Sequence, residues 1–324
     1  MDNPPSVDGL RGGAANALPV TRPSAGRRQS LRLWLPYLCL VPAIIASCGV
    51  LLYPTLRMFQ YSFLNWSFGK SYETAKWDGL ANYQWLITSQ SSTLFHSLRL
   101  TLLYAGASIV CELVLGLAIA VLLNRRHVFG RQVVLTGFMI PTLLMPVMVG
   151  MMWRMYMYPN GMLSYFLGLV GIKIDWYTAT WAMPAVILIE IWQFTPFFVI
   201  SLFAGLRAIS AEILEAAAID GASGWYRFWH ISMPYLRPII VVTSMIRVLW
   251  ILKSFDIVYT MFTGGPGSAT EILGISIYRA LFLSRNIGRS AALSVILAAL
   301  TLLVTFAFVR FAYRSREVME SATP

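Results

Sequence analysis

Long apolar runs alternate with short polar stretches along this chain, and the length of the runs sets the first expectation. They occupy about 33–56, 97–123, 133–153, 182–206, 238–260 and 289–312. Each is near the ~20 residues that an α-helix needs to cross ~30 Å of hydrocarbon. The pattern predicts an all-α membrane protein of about six transmembrane helices, with both termini on one side. Residues 1–30 break the pattern. They are Pro, Gly, Ala, Ser and Arg with almost no large apolar side chains, so burial cannot offset the entropy of ordering them. The chain therefore divides into a disordered basic tail (1–30), a membrane body (31–317) and a short tail (318–324).

Composition strengthens the membrane reading. With 57% hydrophobic and only 12% charged residues, and a mean hydropathy of +0.65, a soluble globule would expose large apolar patches. The net charge of +11 raises nucleic acid as a partner, but the basic residues lie between apolar runs and not along one soluble face. Membrane lipid is the partner this implies, and nucleic acid is not. A cytoplasmic N-terminus places most of the 25 Lys and Arg residues inside, among them Arg125, Arg126, Arg131, Arg207, Arg227 and Arg237, as the positive-inside rule requires.

Cys39, Cys48 and Cys111 all fall in apolar runs, giving no disulfide framework and no metal pair. Arg27 and Arg28 before Ile45-Ala46-Ser47-Cys48 imitate a lipoprotein signal. The apolar run continues through Val50, Leu51, Leu52 and Tyr53, longer than a signal's apolar region, so Cys48 is expected to stay unlipidated in a full span.

No catalytic constellation is present in the sequence. Gly69-Lys70-Ser71 matches only the end of a phosphate-binding loop, with Leu64 where its first glycine should stand. His96, His127 and His230 lie in separate segments without metal-ligand spacing, so no metal site is expected. Gly264-Gly265-Pro266-Gly267 reads as a turn. The segments at about 57–96 and 259–288 carry Trp66, Trp77, Tyr83, Trp85, Tyr259, Phe262 and Tyr278, placed to anchor the membrane interface or to stack on a ligand.

Polar residues inside the runs are costly and tend to face a cavity or a partner. Glu112, Glu190, Gln193, Arg247 and Lys253 qualify. Glu190 and Gln193 share one helical face, as do Arg247, Trp250 and Lys253. Two readings stand side by side: an interhelical ion pair without a ligand, or a binding path formed by Trp153, Glu190, Trp192, Gln193, Arg247, Trp250 and Lys253.

The most informative stretch is the polar segment 207–237. Glu212, Glu215, Ala216 and Ala217 belong to a strong helix former, Asp220-Gly221-Ala222 can end it, and a second short amphipathic helix can run through Trp225 to Trp229, closed by Pro234. Glu215-Ala216-Ala217, Asp220-Gly221-Ala222 and the downstream Ile231 to Pro234 resemble the EAA loop of binding-protein-dependent ABC importer permeases. The likeness extends along nearly the whole chain and is similar to the maltose-type carbohydrate permeases, through Gly79-Leu80-Ala81-Asn82-Tyr83, Ala204-Gly205-Leu206, Phe255-Asp256-Ile257-Val258-Tyr259 and Thr263-Gly264-Gly265-Pro266.

The resemblance implies a type I importer transmembrane domain in a bacterial inner membrane. It implies a second homologous permease, an extracytoplasmic solute-binding protein, and two ATPase subunits that bind the ATP and Mg, with no cofactor on this chain. It gives Glu212, Glu215, Ala216, Ala217, Asp220, Gly221, Ala222 and Pro234 the role of coupling to the ATPase, and makes the binding path one for a sugar. A glycerol phosphate ester or polyol is the alternative cargo. The chain departs from the maltose prototype in lacking its large periplasmic insertion and extra N-terminal spans. A secondary transporter or channel, the reading from another class, needs no such loop, and a membrane-embedded enzyme needs catalytic groups.

Overall fold

The computed structural model describes Tyr37 and residues 39–125 and 129–320. The expected tail at 1–30 and most of that at 318–324 lie outside the described residues, as do Arg126 and His127. Of the described residues, those up to Leu56 fall in one compact unit and those from Arg57 in another. Across that boundary runs α1, Cys39–Tyr61, an apolar helix 23 residues long. Cys48 sits within it, at the start of a π turn over Cys48–Leu52.

The second unit opens with a small antiparallel pair, β1 (Leu64–Asn65) and β2 (Lys76–Trp77), with Leu64 opposite Trp77. The helix α2 (Ala81–Thr88) fastens this hairpin: Asn82 Nδ2 donates to the carbonyls of Ser62 and Leu64 at 2.9 and 3.0 Å, and Tyr83 Oη donates to Ser62 Oγ. Next comes α3 (Leu94–Leu123), whose buried face is small or polar: Ser97, Thr101, Ala105, Ser108, Glu112, Gly116 and Ala120. Small residues at helical spacing let backbones approach closely in lipid, where apolar bulk brings no advantage over the solvent.

Helices α4 (Arg131–Leu143), α5 (Pro146–Met157) and α6 (Met162–Leu169) follow, then α7 (Ala179–Arg207). The pair α3 and α7 makes the most extensive helix contact, and a Cβ added at Gly116 would stand 2.5 Å from the Cβ of Phe198. The chain continues as α8 (Ala211–Ile219), α9 (Gly224–Ile251), α10 (Asp256–Phe262), α11 (Leu273–Leu283) and α12 (Ile287–Glu320). The main core gathers Tyr104, Val149, Val186, Ile189, Ile251, Ile257 and Met261, and a second core near the 208–223 loop gathers Phe198, Leu202, Leu206 and Leu236.

Three sequence expectations need correction. The run at 133–153 is not a straight span: α4 and α5 meet at 92°. Leu144 and Met145 are extended (ψ 141 and 133), because a proline at 146 disfavours helical backbone in the residue before it and brings no N–H to continue the ladder. The run at 238–260 is displaced: its helix starts at Gly224 and stops at Ile251, before a break ahead of α10.

Nor does Pro234 close a separate short helix. The helix from Gly224 runs straight into the span through a π turn over Phe228–Ser232, and Met233 N–H bonds to Phe228 O. The same device stands before Pro54, where Tyr53 N–H reaches Cys48 O. In both places a widened turn precedes a Tyr-Pro or Met-Pro pair. It relieves the collision of the ring with the carbonyl four residues back, so the helix continues.

Candidate functional site

The loop between α7 and α9 is built from local signals. Ser210 caps α8, accepting from Glu212 N–H at 3.2 Å, and Ser223 caps α9, accepting from Tyr226 N–H at 3.2 Å. Each satisfies one of the free donors of a helix start. At the other end of α8, Gly221 adopts φ +83°. Ala222 N–H bonds to Ala217 O at 2.9 Å and Gly221 N–H to Ala218 O at 3.2 Å, the paired bonds of a Schellman ending. The expectation that Gly221 ends the first helix holds.

Arg227 then ties the two arms together, its Nη1 donating to Leu214 O at 3.1 Å. Glu212, Glu215, Ala216, Asp220 and Gly221 are exposed, and Ala217, Ala222 and Pro234 half-buried. Exposed beside them are Ile213, Ile219, Trp225, Tyr226 and Trp229, with Ile219 at 86% and Trp225 at 74%. A cleft of about 1050 Å³ opens beneath α8, between Asn124, Arg207, Leu214, Glu215 and Arg227.

Within the spans, the structure separates the seven candidate path residues into two groups. Arg247 Nε and Nη2 donate to the two oxygens of Glu112 at 2.8 and 2.9 Å, Nη2 also contacts Glu190, and Phe194 lies under the guanidinium at 3.9 Å. All three charged residues are at most 1% exposed. Gln193 is buried too, and its Nε2 donates to Leu144 O at 3.0 Å while Thr142 Oγ1 donates to Gln193 O at 2.6 Å. The first of these bonds occupies a carbonyl opened by the α4–α5 break, as a broken helix in lipid requires. Glu190, Gln193 and Arg247 thus face neighbouring helices instead of an open path, since burial without partners would be far costlier. Arg247 turns inward, as its cost in lipid demanded.

The other four stand differently. Trp153 packs edge-on against Trp192 at 5.4 Å, and Trp250 against Phe197 at 5.2 Å. Trp192 and Trp250 are 37% and 49% exposed, and Lys253 is exposed at the end of α9.

Two polar clusters escaped the sequence reading. Glu271, 2% exposed, accepts from Ser276 and pairs with Arg279, whose Nη2 also donates to Thr263 O at 3.2 Å. This clamp holds the Thr263 to Gly267 turn, where Gly264 has φ +91°. Its spacing carried no helical signal, because Glu271 precedes α11, which starts at Leu273. Tyr104 and Ser108, buried on α3 beside the ion cluster, were marked only by lying eight and four residues before Glu112.

Comparison with known proteins agrees with this geometry. The family model described as "Binding-protein-dependent transport system inner membrane component" matches residues 112–317. The chain is 32% identical over 235 residues to the trehalose/maltose transport system permease of Thermococcus litoralis, covering 72% of this chain and 78% of that one. It is 32% identical over 281 residues to the sn-glycerol-3-phosphate transport system permease of Agrobacterium fabrum, covering 86% and 94%. In fold it resembles a chain of a bacterial ABC transporter involved in import of the acidic polysaccharide alginate, with a TM-score of 0.77 at 22% identity, covering 90% and 99%. With its capped loop, its broken span and its apolar helices, the chain belongs to the inner membrane components of binding-protein-dependent transport systems, as a non-catalytic permease subunit.

Proposed function

We propose that this permease carries a sugar or sugar-like solute inward and takes its driving force through the 207–237 loop. One observation carries the coupling half. The loop presents small and apolar side chains outward on two capped, mutually tied helices, a rigid protrusion whose exposed apolar patch fits a partner's cleft. The partner is an ATPase subunit, of which the importer uses two, and these bind ATP and Mg. The N-terminus and the loop lie in the cytoplasm, where the positive-inside rule puts Arg125, Arg131, Arg207, Arg227 and Arg237. The opposite face, with the Thr263 to Gly267 turn, receives the solute from its binding protein, and a second homologous permease completes the path.

For the cargo, Trp153, Trp192, Trp250 and Lys253 offer aromatic faces and a cation, suited to stacking on and hydrogen-bonding a sugar ring. The names of the trehalose/maltose and sn-glycerol-3-phosphate relatives support a carbohydrate first and a glycerol phosphate ester second. The test is ATP-dependent uptake in proteoliposomes holding both permeases, the ATPase subunits and the binding protein, offered labelled trehalose, maltose, a polyol and sn-glycerol 3-phosphate. Accumulation of a disaccharide supports the reading, and accumulation of the phosphate ester alone supports its alternative. Uptake that proceeds without the ATPase subunits refutes the coupling.

A further inference from the structure

The cluster of Glu112, Glu190 and Arg247 joins three spans, α3, α7 and α9, and its charges do not balance. A guanidinium stays protonated throughout the accessible pH range, so two ionised carboxylates leave one net negative charge in hydrocarbon surroundings, where uncompensated charge is strongly disfavoured. The Coulombic partners of Arg247 are these two carboxylates. The two carboxylates hold the guanidinium unequally. Glu112 places both oxygens on the guanidinium, whereas Glu190 places only Oε1 there, and its Oε2 is buried with no hydrogen-bond partner. The hydroxyl of Ser108 is likewise buried and unpartnered, and the Tyr104 phenol lies within interaction range of Glu190.

The position of the cluster gives it a task. Glu190 is on α7, which runs into the coupling loop at Arg207, and Arg247 is on α9, which leaves the loop at Gly224. At 1.5 Å per residue these are roughly 25 Å and 34 Å of helix from the loop. Between cluster and loop the same two helices meet at Gly205, where an added Cβ would stand 2.8 Å from Leu236 Cδ2. We propose that Glu112, Arg247 and Glu190 form a buried brace that locks the two arms of the loop so that they move as one body. Displacement of the loop then reaches the outer half of α7 and α9 together. This rests on the loop being the coupling element.

The experiment uses the full reconstituted transporter, reading melting temperature, ATP hydrolysis stimulated by loaded binding protein, and uptake per ATP. Glu112 holds the guanidinium at two points and Glu190 at one, so Glu112→Gln is expected to lower the melting temperature more than Glu190→Gln. A melting temperature unchanged in both variants would overturn the brace. Glu112→Gln/Glu190→Gln strands the guanidinium, and adding Arg247→Met removes every charge and restores assembly. In that triple variant uptake per ATP is expected to fall by about tenfold, the size of an ordinary coupling free energy. Wild-type uptake per ATP there would reduce the cluster to packing and overturn the brace. Arg247→Lys, which keeps the charge but not the fork, gives a second reading if the triple variant does not assemble: full coupling in it would also refute the brace. If Gly221→Asp in the loop leaves transport intact, the loop reading has failed instead.

Discussion

Replacement of Gly221 separates backbone strain from contact with a partner. Its φ of +83° is unfavourable for residues with a Cβ, at about 1–2 kcal/mol, and Asn and Asp tolerate that region better than Ala. Among the described residues nothing beyond its chain neighbours lies within 4 Å of an added Cβ, so no clash with them adds to the strain. Strain also threatens the two bonds that close α8, from Ala222 and Gly221, each contributing about 1 kcal/mol. A helix of nine residues has little stability of its own to absorb the loss. If strain alone matters, Asp and Asn outperform Ala. If the glycine lies against a packed partner cleft, side-chain size decides and Ala outperforms Asp. We expect the second order: Gly221→Asp inserts and pairs with its partner permease, yet loses substrate-stimulated ATP hydrolysis and uptake, while Gly221→Ala keeps part of both. Binding of solute to the extracytoplasmic receptor stays unchanged. The assay is uptake and stimulated ATP hydrolysis in reconstituted complexes across Ala, Asn, Asp and Val. An Asp variant that transports like wild type, or better than Ala, sinks the argument.

Gly116→Leu forces a side chain onto Phe198, whose Cβ lies 2.5 Å from the added carbon; overpacking of this kind costs about 1–3 kcal/mol and shows as a lowered melting temperature of the purified complex. Gln193→Leu leaves Leu144 O without its donor at the break between α4 and α5, destabilising it by about 1 kcal/mol, and faster amide exchange confined to 143–147 is the expected signature. Ser210→Ala and Ser223→Ala each remove a helix cap, for about 1 kcal/mol apiece, and are expected to lower stimulated ATP hydrolysis more than solute binding. Intact-mass analysis is expected to find Cys48 within an unlipidated first span; a chain beginning at a diacylated Cys48 contradicts that.

The spans were legible because crossing hydrocarbon demands length and apolarity, and both are properties of the sequence read residue by residue. Leu94–Leu123 and Ala179–Arg207 fall within a few residues of the runs at 97–123 and 182–206. The break at Leu144 was not legible, since hydropathy continues unbroken through Thr142, Leu143 and Met145 and a proline is tolerated in many membrane helices. Pro146 ends the helix there, and Gln193 of α7 supplies the donor that the opened Leu144 carbonyl needs. The start of α9 was misjudged for the converse reason. Its first turns are amphipathic and hold Pro234, features of a loop, and the π turn that lets the helix continue leaves no mark in composition. The loop itself read well, because caps and a terminal glycine are local chemistry. The ion cluster was half legible: charge at Glu190 and Arg247 announced burial against a partner, but choosing Glu112 as that partner required the packing of α3 on α7 and α9.

The helix α7 carries two polar contacts within a single turn, and their spacing decides what the permease can do as a machine. Glu190 meets Arg247 of α9, and Gln193, less than one turn later, meets the open carbonyl between α4 and α5. One helical face therefore holds both the brace and the break. A turn further on Pro196 sits inside the same helix, its surroundings fully packed, where the missing N–H already weakens the backbone ladder. Rotation of α7 about its axis would change the Glu190 and Gln193 contacts together, because they share that face, whereas translation along the axis would strain both hydrogen bonds at once. Rotation would also carry Gly205 away from Leu236 near the loop, so neither motion of α7 by itself leaves its packing on α9 intact. Movement of α7 and α9 as one body, which the proposed brace imposes, keeps the contacts between those two helices, and it carries Trp192 on the exposed face of α7 along with the loop.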